Sequence, residues 1–353
     1  MSDKKTIYLH IVSMDKIGNH VFFKSVNVPG TFCLENGTNL VLLDENEDKG
    51  SWCPYQYSDC VHIDHTLLFV PCDRAPFITL YHVDTKTFEY IKNEGQKKYK
   101  IGIPCGDKIY LFGEHLDGDN VAVVDPVNHE IKELHWSSEN EQPAITYHNY
   151  SRMGNKLLFP NFGYGKLCEY DLDNQTSRII EISEEIAPSS VLVDEDIIWI
   201  TGNKDEIHVY GKEDFSLHKI IKLPERTRDC QWKMRFSASA IMGDDIFFSP
   251  VYYGSIIKIN RLNMAVETVY ELEEDEICWS INTLDENHLY FDVYNFVTAE
   301  VGNIVVSSTG EITKNDHRFI GSNLYFRNEL YESSINSLVG YLDFVRRNEN
   351  EIN

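Results

Sequence analysis

A short pattern that recurs seven times constrains the fold of this chain more than any other feature. A turn ending in a polar residue leads into three apolar or aromatic residues. It occurs as Gly18-Asn19-His20-Val21-Phe22-Phe23, Asp64-His65-Thr66-Leu67-Leu68-Phe69, Gly106-Asp107-Lys108-Ile109-Tyr110-Leu111 and Gly154-Asn155-Lys156-Leu157-Leu158-Phe159. It returns as Asp194-Glu195-Asp196-Ile197-Ile198-Trp199, Gly243-Asp244-Asp245-Ile246-Phe247-Phe248 and Glu286-Asn287-His288-Leu289-Tyr290-Phe291. The anchors at 20, 66, 108, 156, 196, 245 and 288 are spaced by about 45 residues on average, a period typical of four-stranded propeller blades. Gly-Asn and Gly-Asp suit tight turns that need positive φ, and the apolar triplets read as buried strands.

A second landmark follows the anchors. Apolar runs close in a polar turn some 15 to 18 residues on, at Asp84, Asp125-Pro126, Asp171 and Asn260. Asp, Asn and Pro close a hairpin to a further strand there, as in Phe88–Ile91, Ser177–Ile180 and His218–Ile221. Upstream strands such as Tyr57–Ile63 and Phe236–Ile241 complete four strands per copy. A sheet with two apolar faces must bury both, and copies stacked radially do so while leaving only short edges. No copy contains a convincing amphipathic helix, which argues against α/β architectures. The predicted fold is therefore all-β: a single β-propeller of seven four-stranded blades over residues 1–328, with six or eight blades as alternatives.

Composition sets bounds on function. Lys and Arg number 32 against 56 Asp and Glu, a formal charge of −24. Such a field repels phosphates and anionic lipid, so no nucleic acid and no membrane partner is expected. No run approaches the roughly 18 apolar residues of a spanning helix, and the start lacks the apolar core of a secretory signal. The eight cysteines are scattered without a CxxC pair and read as mostly buried free thiols, which favours a reducing, cytoplasmic setting over a disulfide framework.

The third copy carries a family resemblance. Residues 106–136 read GDKIYLFGEHLDGDNVAVVDPVNHEIKELHW and resemble a Kelch repeat: Ile109-Tyr110-Leu111-Phe112-Gly113 fits the strand that ends in a glycine pair, and Val123-Val124-Asp125-Pro126 fits the later hydrophobic-Asp-Pro turn. Glu114 replaces the second glycine, and Ile131 stands where the family usually has tryptophan. Trp199-Ile200-Thr201-Gly202 is a partial echo, and the WD40 signature is missing. At the level of architecture the resemblance spans roughly residues 5 to 315. It implies a propeller and, commonly, a protein-interaction platform; oxidases and glycan-active enzymes also occur among resembling domains, but no copper site matches residue by residue.

The two ends are ambiguous. Thr6–Val12 is either the inner strand of the first copy or a strand that closes the ring against the last. Gly321–Phe326 echoes the anchor an eighth time, without a full blade after it. Beyond Asn328, the stripe Tyr331, Ile335, Leu338, Leu342 and Val345 predicts a C-terminal amphipathic helix within 329–353, either packed under the ring or free for a partner.

Propeller ligands gather where the loops between second and third strands meet the connections between blades. The aromatic-rich loops 161–165, 250–254 and 293–296 offer Phe162, Tyr164, Tyr252, Tyr253 and Tyr294, either as a stacking surface for a peptide or sugar or as covers for blade edges. The segment 226–235 is the densest basic run, with Arg226, Arg228, Trp232 and Arg235. Its guanidinium forks suit an anionic ligand or pair with the surrounding acids. A protein or peptide partner is expected, with carbohydrate as the alternative; no catalytic residue, cofactor or metal is assigned. His62-Ile63-Asp64-His65 is an awkward metal motif because 62 and 65 fall on opposite faces of a strand. The acidic loop 44–50 has Lys49 where a calcium loop needs glycine. No phosphate loop, GxSxG elbow or HExxH helix is present.

Overall fold

The computed structural model describes residues 6–9, 11, 13–25, 30–35, 39–44, 56–72, 75–113, 118–136, 149–161, 165–224, 234–295, 297–298, 301–315 and 318–320. They form seven four-stranded antiparallel sheets, each an up-and-down meander in chain order. The blades cover 14–44, 57–92, 101–136, 151–181, 190–222, 236–271 and 276–315, and are numbered 1 to 7 below.

Six of the seven anchors are the first residue of a second strand, and Asp196 is the residue just before one. His20–Lys24, Thr66–Pro71, Lys108–Phe112, Lys156–Asn161, Ile197–Thr201, Asp245–Pro250 and His288–Asn295 are the second strands of blades 1 to 7. The turn before each has two residues, and six of the seven put positive φ at its first position: Gly18, Asp64, Gly106, Gly154, Glu195 and Gly243. Blade 7 instead braces its turn with Asp285, whose carboxylate accepts from the Asn287 N–H at 2.9 Å. The second landmark also has a physical cause. At the end of the third strand, Asp125 accepts from the backbone of Val127 and Asn128, and Asp171 from that of Asp173 and Asn174, all within 3.0 Å. Asn260 repeats the motif with Leu262 and Asn263 at 3.2 Å. These hydrogen bonds hold the Asp125 and Asp171 carboxyls below their ordinary range.

Second and third strands are buried on both faces, and the apolar side chains segregate into clusters between neighbouring blades. Leu68, Leu80, Ile109 and Val124 seal blades 2 and 3. Phe112, Phe159 and Tyr170 seal blades 3 and 4, with Phe112 lying 5.1 Å from Phe159 between ring centroids. Leu158, Ile198 and Tyr210 join blades 4 and 5, Trp199, Phe236 and Phe248 join 5 and 6, and Phe247, Phe291 and Ile304 join 6 and 7. Phe22, Phe69 and Tyr81 hold blade 1 to blade 2. Leu9, Ile11, Phe23 and Phe32 meet Tyr290 between blade 1 and blade 7, so the ring is closed.

The ends resolve one ambiguity. The inner strand of blade 1 is Met14–Ile17, and Thr6–Tyr8 pairs instead with Arg318–Ile320, which follows the last blade. The latch is thus a separate two-stranded clasp. The eighth echo at 321–326 and the helix expected within 329–353 lie outside the described residues. Among the described cysteines, six are free thiols, with Cys33, Cys60, Cys168 and Cys278 buried. No helix among the described residues is long and apolar enough to cross a membrane.

Candidate functional site: the loop face and the axial polar ring

The up-and-down meander gives the ring two unlike ends. One carries the tight turns after the first and third strands. The other, the loop face, carries the second-to-third loops and the inter-blade connections, where the sequence does not repeat.

Arg235 is the hub of the described part of that face. Its N–H donates to Gly202 O at 3.0 Å, and its carbonyl accepts from Val251 N at 2.9 Å and Tyr252 N at 3.3 Å. Its guanidinium pairs with Asp205 at 2.7 Å. One residue therefore ties the loop of blade 5 to the loop of blade 6. Gly202 is required at this junction, because an added Cβ would lie 2.2 Å from Ala187 O. Tyr253 donates its hydroxyl to Pro224 O at 2.9 Å and packs 4.9 Å from the Phe236 ring. Met234 is fully buried. The segment 225–233 is thus entered at a pinned Pro224 and left at a pinned Met234 and Arg235.

The predicted site residues divide accordingly. Phe162, Tyr164, Arg226, Arg228 and Trp232 lie outside the described residues. Arg235 and the half-buried Tyr252 are on the loop face, joined by a backbone hydrogen bond. Two expectations are corrected. Tyr253 is 1% exposed and Tyr294 2%, so both are core residues and not part of a stacking surface. Tyr294 belongs to the eight-residue strand His288–Asn295 rather than to a loop, and burial pushes its phenol up to about 12.

A ring of short polar side chains around the axis escaped the sequence reading. Inner strands face the axis with one edge unpaired, and at six of the seven blade junctions a side chain of one blade reaches the next. Ser13 donates to Asp59, and Ser58 to Tyr99 O at 2.9 Å. Asn149 and Ser151 accept from Val191 N at 2.7 Å and Val193 N at 2.8 Å. Ser189 donates to Phe236 O, Ser237 donates to Trp279 O at 2.7 Å, and Asn282 accepts from Met14 N at 3.4 Å, which links blade 7 back to blade 1. The signal was present: Ser13, Ser58, Asn149, Ser189 and Ser237 each precede their anchor by seven or eight residues.

Asp59 is the most perturbed member. Its carboxylate also accepts from Cys60 N and Gly102 N, both at 2.9 Å, so it bridges the inner edges of blades 1, 2 and 3. Burial outweighs these donors and raises its pKa to about 6. Burial likewise pushes Tyr150 up to about 12, with Asp59 and Asp15 adding to the shift. His62 Nδ1 donates to the Asp15 carboxylate at 2.6 Å, which raises the imidazole pKa, whereas His65 pairs with Asp84 at 2.8 Å. The two histidines turn to separate carboxylates, His62 from the first strand of blade 2 and His65 from the turn that follows it. Asp59 and the Asp15–His62 pair serve as inter-blade bolts, whereas His65–Asp84 lies within blade 2.

No protein-family model matches this sequence, and no curated protein matches it. Solved structures match it as folds. YCF48, in a structure bound to D1 peptide, is 8% identical with a TM-score of 0.59 over 88% of this chain and 94% of that one. The computationally designed Ika8 protein is 10% identical with a TM-score of 0.56 over 88% of this chain and 98% of that one. PorZ of Porphyromonas gingivalis, a bacterial surface component of the type-IX secretion system, is 10% identical with a TM-score of 0.55; the match spans 88% of this chain and 38% of that one. Sheet order and these likenesses together define the class: a seven-bladed β-propeller.

Proposed function

We propose that this protein is a non-catalytic, Kelch-like interaction propeller that takes a protein or peptide on its loop face. The observation that carries the reading is the mounting of the basic segment. In a chain of net charge −24, Arg226, Arg228, Trp232 and Arg235 sit in or beside a connection whose two ends are pinned by Tyr253, Met234 and the Arg235–Asp205 pair. A rigid frame under a non-repeating loop is how scaffolds present recognition residues. Arginine forks suit carboxylates of an acidic peptide, and Tyr252 supplies aromatic area on the same face. YCF48, which shares the fold, has been captured with a peptide. Free buried thiols fit a reducing compartment, in keeping with a cytoplasmic protein.

The test is cross-linked capture from the native cell with the full chain, beside a glycan array. The double variant Arg226→Glu/Arg228→Glu is expected to lose its acidic protein partner by at least about tenfold, roughly 1.4 kcal/mol. Undiminished capture by that variant, or recovery of a defined sugar and no protein, overturns the reading.

A further inference from the structure

We propose that His82, Glu89 and His129 form a zinc-type divalent metal site that staples blade 2 to blade 3 at the turn face. Their ligand atoms all lie within 4.8 Å of one another. His82 ends the third strand of blade 2, and Glu89 lies on its fourth strand. The register pairs Leu80 with Glu89 and His82 with Thr87, so His82 and Glu89 are diagonal neighbours on one face. It is the face that packs on blade 3, since Leu80 belongs to the core between those blades. His129 reaches the same point from the turn after the third strand of blade 3. The ligands are 7 and 40 residues apart in sequence and come together only when the two blades dock.

The three side chains converge on one point. A single oxygen, Glu89 Oε2, faces both imidazoles, with His82 Nε2 at 3.3 Å and His129 Nε2 at 2.5 Å. His82 Nε2 and Glu89 Oε2 are both buried atoms, and their contacts with each other and with His129 are ion pairs without hydrogen-bond alignment. Tetrahedral zinc with bonds of about 2.0–2.1 Å holds neighbouring donors about 3.3 Å apart. The His82–Glu89 separation already has that value, and His129, on a half-exposed turn, needs to withdraw by less than about 1 Å. Two imidazoles and one carboxylate, with a fourth position open to water, suit zinc rather than calcium or magnesium.

One further feature supports the assignment. Thr66 Oγ1 lies 3.0 Å from His82 Nδ1. Donation from Nδ1–H to that hydroxyl leaves the Nε2 lone pair for a metal, the usual outer-shell arrangement. His129 holds φ of 55°, the turn conformation that Lys86, Gln175, Phe215 and Met264 share at the corresponding place in other blades, so glycine at 129 suits the backbone.

The experiment titrates the full chain with Zn²⁺ and, separately, Co²⁺, following calorimetry, unfolding temperature and the visible cobalt spectrum. One equivalent of Zn²⁺ is expected to bind saturably and raise the unfolding temperature, and Co²⁺ to give tetrahedral bands without a thiolate charge-transfer band. His129→Gly, which suits the turn and so preserves the fold, is expected to weaken binding by more than about 100-fold, and Thr66→Val by about 10- to 100-fold. Absence of saturable binding, a thiolate band, or equal affinity in wild type and His129→Gly overturns the proposal.

Discussion

Blades 4 and 6 hold the same triad of charges with every sign reversed. In blade 4, Lys156, Glu169 and Arg178 stand on the second, third and fourth strands, with Leu158, Glu169 and Arg178 in register. In blade 6, Asp245, Lys258 and Glu267 occupy the corresponding places, with Phe247, Lys258 and Glu267 in register. The central side chain bonds both flanking ones in each. Glu169 accepts from Lys156 at 2.9 Å and from Arg178 at 2.8 and 3.0 Å, a two-pronged contact. Lys258 reaches Asp245 at 2.9 Å and Glu267 at 3.2 Å. The environments differ. Glu169 is 3% exposed, on a face covered by the core between blades 4 and 5. Lys258 is 30% exposed and lines a groove of about 230 Å³ between blades 6 and 7. A charged cluster that keeps its positions while inverting its sign serves the sheet, so such clusters on these blades are architecture, in contrast to the His82–Glu89–His129 set, which spans two blades and has no counterpart among the described residues.

The largest effect is expected where the central charge is buried. Lys156→Met/Arg178→Met strands the Glu169 carboxylate in the core and is expected to cost about 3–5 kcal/mol in denaturant unfolding at neutral pH. The pH dependence supplies an independent readout. In the native protein Arg178 and Lys156 overcome burial and lower the Glu169 pKa. A folded pKa below the unfolded one means stabilisation that is complete above about pH 4.5 and is lost as pH falls through the folded value. In the double variant burial acts alone and raises that pKa, so the same group loses stability as pH rises above about 4.5. An unchanged pH profile breaks the comparison. Lys258→Met in blade 6 tests the other side and is expected to cost only about 1 kcal/mol. Asp245 keeps a 3.0 Å hydrogen bond from Asn260, and Glu267 is largely solvated.

The same contrast between repeating and single features decides what could be read from sequence. The ring was legible because its turns need particular residues at fixed places: Gly18, Gly106, Gly154 and Gly243 for positive φ, and Asp125, Asp171 and Asn260 for side-chain-braced turns. Tyr294 was misplaced because Asp292, a residue that strands usually avoid, looked like the end of the preceding run. Asp292 is instead fully buried within the strand, opposite Asn303, so the strand continues through Tyr294. Loop sequences give no side-chain direction, and the Tyr253 ring turns back onto Phe236. The axial ring was missed for another reason. One small polar residue per repeat has no amphipathic pattern of its own, and its meaning depends on the unpaired inner edge of the next blade. The metal-type set was illegible because it joins blades through tertiary contact alone.

The smallest effect is the sharpest test of equivalence. If position and not sign is what matters, blade 6 should accept the charges of blade 4. The exchange must include the turn residue beside the triad. Asn260 donates to Asp245 and also braces its own turn, whereas Asp171 sits opposite Lys156 in blade 4. Asp245→Lys/Lys258→Glu/Asn260→Asp/Glu267→Arg therefore transplants the whole blade 4 arrangement, with every donor again facing an acceptor. The expected change in unfolding free energy is within about 1 kcal/mol, because exposed or half-exposed pairs contribute little and no charge is left unpaired. The version without Asn260→Asp leaves the Asn260 amide facing a lysine and should be the less stable of the two. A loss of more than about 2 kcal/mol in the complete exchange would show that the groove beside blade 6 selects for a cation at position 258, and that the likeness of the two triads stops at their geometry.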